Sequence, residues 1–192
     1  LIASGHNNAG GDGKLFVVNP ANGALLTTLS TGAGSNAAPS GFATVRAYTA
    51  NRSDPYAEQA YGGDLDGNLW RFDLSSADES VWKVERLARL TDASGNPQPI
   101  TTGVRIEIDP SNGVDRYVLV GTGKLLDQMD LADASTVNSM YAIRDGTRSA
   151  PDPAPAAPLS RADLNPVAAT GTAGFGTPAA GTRGWYQDAT DA

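Results

Sequence analysis

An Asp-Gly turn that feeds an aromatic-bearing strand occurs twice, and this repetition limits the folds open to the chain more than any other feature. The first copy reads Asp12-Gly13-Lys14-Leu15-Phe16-Val17-Val18-Asn19 and the second Asp66-Gly67-Asn68-Leu69-Trp70-Arg71-Phe72-Asp73, an offset of 54 positions. The first continues through Pro20-Ala21-Asn22-Gly23 into Ala24-Leu25-Leu26-Thr27-Thr28-Leu29, a strand, an Asn-Gly turn and a strand, which is the signature of a β-hairpin. In the second, Trp70, Phe72 and Leu74 alternate onto one face, expected to pack, and Leu69, Arg71 and Asp73 onto the other, expected to be mixed. Units of this size cannot bury both faces alone, so repetition points to a β-propeller, in which small sheets stack on one another.

Composition agrees. The 192 residues are 40% hydrophobic and 18% charged, enough for one sizeable core, and 22 glycines and 12 prolines favour many short strands. Further strands are expected at Ala43–Ala47, Gln59–Gly63, Val81–Leu87, Val104–Ile108, Arg116–Val120 and Ser139–Ile143, with a short helix at Leu125–Ala134. Blades of about 45 residues put roughly four in this length, so the propeller is expected to be incomplete. The blades are placed in 1–145, an extended, partly disordered Pro/Ala/Gly-rich loop in 146–182, and the start of a further strand in 183–192.

A net charge of −7 repels phosphate backbones and anionic membrane surfaces, so no nucleic acid partner is expected. No apolar stretch approaches the length of a spanning helix, so no membrane insertion is expected. With no initiator Met and no signal pattern at Leu1-Ile2-Ala3-Ser4, the chain reads as a piece of something longer. His6 is the sole histidine, there is no cysteine, and no Gly-x-Ser-x-Gly elbow occurs; no catalytic residue and no cofactor is expected. Gly121-Thr122-Gly123-Lys124 fails the phosphate-loop spacing and reads as a strand end. Asp64, Asp66, Gly67 and Asn68 open like a calcium loop but lack the closing acid, since position 75 is Ser; they are assigned to a structural turn that Asp12 and Gly13 repeat. Trp70, Phe72, Trp82 and Trp185 are read as core packing, with a carbohydrate-stacking platform as the alternative.

The stretch Ala60-Tyr61-Gly62-Gly63-Asp64-Leu65-Asp66-Gly67-Asn68-Leu69-Trp70-Arg71-Phe72-Asp73-Leu74 resembles the signature strand pair of the C-terminal propeller of the PilY family. Gly10 to Val18, Pro99 to Thr102, Val120 to Leu126, Ser139 to Asp145 and Gly184 to Tyr186 continue the resemblance in order along nearly the whole chain. The resemblance implies a quinoprotein-like all-β propeller from a secreted or surface protein of type IV pili. It implies support of pilus assembly, opposition to retraction, surface attachment and sensing, with minor pilins, the pilus tip and a host or abiotic surface as partners. It also implies a calcium loop just before the Tyr61 strand. Here that stretch is Ala50 to Glu58, which brings Asn51, Ser53, Asp54 and Glu58 but sets Ala50 and Arg52, or Pro55, at ligand positions. Two readings stay open, a degraded calcium loop and a surface turn begun by Asp54-Pro55. A quinoprotein-type dehydrogenase ranks lower, because no cofactor-binding set accompanies the Gly13 to Gly23 repeat.

Overall fold

The computed structural model describes residues 1–51, 53–54, 56–132, 137–167 and 181–189. Strands dominate and form three sheets in chain order. The first holds β1 (Ile2–Ala3), β2 (Lys14–Val18) and β3 (Leu25–Ser30) in that order. The second holds β4 (Arg46–Tyr48), β5 (Gln59–Gly63), β6 (Asn68–Asp73) and β7 (Lys83–Arg89), an antiparallel meander. The third holds β8 (Arg105–Ile108), β9 (Asp115–Gly121), β10 (Ser139–Thr147), β11 (Asn165–Pro166) and β12 (Gly184–Asp188), ordered β11-β12-β10-β9-β8 with only β11 and β12 parallel.

The 54-residue repeat lays β2 over β6. The expected four blades become three sheets, because 15-residue linkers (31–45 and 90–104) and a long β9–β10 connection take up chain that a minimal blade would not spend. Segment 183–192 carries the further strand β12, which inserts between β10 and β11, registering Trp185 with Ala142 and with Asn165. The segment expected as a loop over 146–182 differs. Gly146 and Thr147 end β10, Leu159 and Leu164 lie in the core, and Leu159 pairs with β7 on both sides of its peptide (Arg89 N to Leu159 O, 2.8 Å; Leu159 N to Leu87 O, 2.9 Å). Residues 148–166 thus form a strap from the third sheet across to the second and back to β12. Residues 168–180 lie outside the described residues.

Two apolar clusters join the sheets. Leu15 and Phe42 pack on Ala60, Trp70, Phe72 and Leu74 between the first and second sheets. Tyr61, Leu69, Leu87 and Leu90 pack on Val118, Val120, Tyr141 and Ile143 between the second and third. Both faces of β6 are therefore buried, which corrects the expectation of a mixed face on Leu69 and Arg71; the middle sheet is covered from both sides. Val81 is likewise not in a strand: Asp78 caps a single 3₁₀ turn at Glu79–Val81, and β7 starts at Lys83. The helix expected at Leu125–Ala134 is a 3₁₀ turn at Gln128–Ala132, with 133–134 outside the described residues.

Candidate functional site

The β5–β6 turn is built on one carboxylate. Asp64 Oδ1 accepts from the amides of Asp66 (3.0 Å) and Asn68 (2.9 Å), and Oδ2 accepts from Asn68 Nδ2 (2.9 Å) and Trp70 Nε1 (2.7 Å). Asp64 is buried, and burial pushes its carboxyl pKa up against these donors. Gly67 takes φ 76° because the chain must turn back within two residues, and an added Cβ there would stand 2.4 Å from the Leu90 carbonyl oxygen. All of the acceptor sites of Asp64 that these contacts use are thus committed to the turn and to Trp70.

Asp12 and Gly13 do not repeat that geometry. Asp12 pairs with Lys14 (3.1 Å), and the left-handed glycine is Gly11. Asn8 caps the amides of Gly10 and Gly11 instead, at 3.1 and 3.0 Å. The position that corresponds to Asp64 is Gly10, which has no side chain to do so.

In the β4–β5 loop, Asn51 Oδ1 accepts from the Ser53 amide (3.0 Å), Asp54 Oδ1 from the Tyr56 amide (2.9 Å), and Glu58 Oε1 from the Ala50 amide (3.4 Å). Asn51, Asp54 and Glu58 thus each put one oxygen on an amide of their own loop, and among the described residues no three His, Cys, Asp or Glu side chains cluster.

The densest polar constellation lies elsewhere, between the second and third sheets. Asp145, fully buried on β10, accepts from Arg71 Nη1 (2.5 Å) and the Tyr61 hydroxyl (2.7 Å), with Arg116 Nη2 at 4.0 Å. Arg71 also binds Glu85 (2.5 Å) and donates to the Asp152 carbonyl (2.8 Å). Arg116 donates to the Asp145 carbonyl (3.0 Å) and Gln59 Oε1 (3.0 Å), and its guanidinium lies 4.5 Å from the centre of the Tyr48 ring. Burial, then the neighbouring Asp145, push the Tyr61 hydroxyl pKa far up, so it stays a donor. The Asp152 carboxylate ties the strap to Arg144 and Arg183, both at 3.1 Å.

A second clasp holds β12. Arg161 binds Asp188 through both nitrogens (2.9 and 2.7 Å) and stacks 3.8 Å over Tyr186, while Ser139 donates to Asp188 (2.6 Å). The Arg161 bonds hold the Asp188 carboxyl below the usual carboxylate range. Sequence reasoning missed both clasps, since their partners lie 74 and 27 positions apart. Of the aromatics, Trp70 and Phe72 are buried, whereas Trp82 and Trp185 are half-buried. His6 follows β1 with its Nδ1 buried.

Successive small sheets, each covering a face of the next and joined by linkers of equal length, define an arc of a β-propeller. The chain belongs to the PilY1 β-propeller family, whose model matches residues 2–157. The type IV pilus biogenesis factor PilY1 of Pseudomonas aeruginosa PAO1 is 30% identical over 166 residues, covering 76% of this chain and 14% of that protein. The PilY1 homolog of Xylella fastidiosa Temecula1 is 28% identical over 166 residues, covering 76% of this chain and 11% of that protein. The crystal structure of the P. aeruginosa PilY1 C-terminal domain has the same fold, with a TM-score of 0.76 at 24% identity over 98% of this chain and 47% of that one. The chain thus spans under a sixth of these full-length relatives and about half of the solved domain.

Proposed function

We propose that this chain is a non-enzymatic scaffold within a type IV pilus biogenesis factor of the bacterial cell envelope or surface. In this reading it supports pilus assembly, counteracts retraction and presents a surface for attachment. The family membership supports the pilus assignment. The observation that carries the scaffold reading is the use made of the buried charges: Arg71, Arg116 and Asp145 are spent on holding two sheets together rather than gathered around an open cleft. Minor pilins at the pilus tip, and a host or abiotic surface, are the partners this reading assigns. The test is to replace Asp145 by Ala in the full-length protein in its own bacterium, then count surface pili and measure attachment. Fewer pili and weaker attachment are expected, in step with the loss of folded protein; unchanged pili and attachment after complete removal of residues 1–192 would overturn the proposal.

A further inference from the structure

The three sheets share one arrangement at one end of the arc. In each, the connection between corresponding strands (β1–β2, β5–β6, β9–β10) lies at that end, and the linkers leaving the first and second sheets run beneath it. The linker of residues 31–45 donates from Ser40 to Gly11 O (2.8 Å) in its own sheet and accepts from Leu65 (2.7 Å) in the next. The linker of residues 90–104 repeats this, donating from Leu90 to Gly67 O (2.7 Å) and from Ile100 to Asp64 O (2.9 Å), and accepting from Gly123 (2.7 Å). Linker contact also covers apolar side chains: Leu65 is packed so closely against Gly41 that a Cβ there would meet it at 2.5 Å.

The β9–β10 connection departs from the other two. Leu125, Leu126, Met129, Leu131 and Val137 are all exposed, Met129 to 83%, and Met140 beside them on β10 to 46%. Of its described polar side chains Asp130 is tucked in, while Lys124, Asp127 and Gln128 are exposed beside the leucines. Asp130 pairs with Lys124 (2.7 Å) and accepts from the amides of Leu126 (2.7 Å) and Asp127 (3.1 Å); Asp127 accepts from the amides of Met129 (2.7 Å) and Asp130 (3.2 Å). Asp127 and Asp130 are thus occupied by the loop's own backbone while four of its large apolar side chains and Val137 stand in solvent, an exposed apolar patch of the kind that marks a contact surface.

A third linker begins as the others do, with Ala189 donating to Asn138 O (2.8 Å). At the 15-residue length of the first two it would extend past residue 192, and the solved relative carries about as much domain again as this chain covers. We propose that the polypeptide following residue 192 in the longer protein crosses the β9–β10 connection and buries Leu125, Leu126, Met129 and Leu131. The occupant is a segment of the same protein, and this inference is independent of the pilus reading.

The test places a photo-crosslinking benzoylphenylalanine at Met129, or separately at Leu131, in the full-length protein, followed by peptide mapping. Tyr56, 78% exposed in the β4–β5 loop at the opposite end, is the control position. Cross-links from 129 and 131 to the first linker-length of chain after residue 192, absent from position 56, are the expected result. Cross-links instead to another polypeptide, to a second copy or to a distant part of the chain would overturn the proposal, as would none at all or the same peptide captured from position 56.

Discussion

Replacing Asp145 by Ala should cost this protein a large part of its stability. The carboxylate is fully buried and holds Arg71 at 2.5 Å and the Tyr61 hydroxyl at 2.7 Å, with Arg116 at 4.0 Å. Breaking a buried pair while leaving its partner charged costs about 3–5 kcal/mol, and orphaning the Tyr61 hydroxyl pushes the loss toward the upper end. Total stability for a domain is about 5–15 kcal/mol. With a midpoint shift of about 2–4 °C per kcal/mol at this chain length, the melting temperature should fall by roughly 6–20 °C. Thermal and urea unfolding, followed by far-ultraviolet circular dichroism and tryptophan fluorescence, measure it. A double variant, Arg71→Met with Asp145→Leu, removes both charges and should lose less than the sum of the single variants. A loss under about 1 kcal/mol for Asp145→Ala, or strict additivity in the double variant, would refute the idea that this network holds the second and third sheets together.

Trp70→Ala should destabilise by about 3–5 kcal/mol, and Trp70→Phe by about 1.5–3 kcal/mol through the lost bond to Asp64; a near-neutral Ala variant in urea unfolding would mean an exposed binding aromatic instead. The Asp188 carboxyl sits below its ordinary value because of Arg161, so its contribution is complete above about pH 4 and lost as pH falls through the lowered folded value. Asp188→Asn should accordingly flatten the acid limb of a stability–pH curve, and an unchanged limb would contradict the clasp. Gly67→Ala should cost more than Gly23→Ala in thermal melts. Both glycines have positive φ, at about 1–2 kcal/mol for a side chain, but only the Gly67 Cβ would strike backbone, while Gly23 faces open space; equal losses would show that the Leu90 contact yields freely. Calorimetric titration with calcium should show no saturable binding, and binding abolished by Asp54→Ala would reverse the assignment of that loop to a self-capped turn.

Local chemistry was legible in the sequence and long-range chemistry was not. Asp64 to Asn68 spells a turn whose amides and acceptors all lie within five residues, and β5 falls on the span expected from its turn-bounded sequence. Two spelled repeats went unread: Asp92 to Asn96 folds like Asp64 to Asn68, and Asp109-Pro-Ser-Asn-Gly113 folds like Asn19-Pro-Ala-Asn-Gly23, each with the first side chain accepting from the amide two residues on. Comparing those strings would have joined the strands expected at Val104–Ile108 and Arg116–Val120 into one hairpin. Arg71 looked like half of a mixed face because nothing near it in sequence announces Asp145. Val81 looked like strand because its apolar neighbours outweigh, on pattern alone, the capping carboxylate of Asp78.

The strap sets an order of assembly as well as a final shape. The outer edge of β7 is closed by Leu159, which binds Arg89 across 70 positions. As the chain emerges from its amino end at about 5–20 residues per second, that edge waits roughly 4–14 s for its partner. An unpaired edge is a template for the wrong strand. Lys83, Glu85, Arg86 and Arg89 place four charges on seven residues of that strand, a density that discourages another chain from docking during the wait. The same residues later serve the finished protein, Glu85 by binding Arg71, so the guard on the nascent edge becomes part of the mature seam.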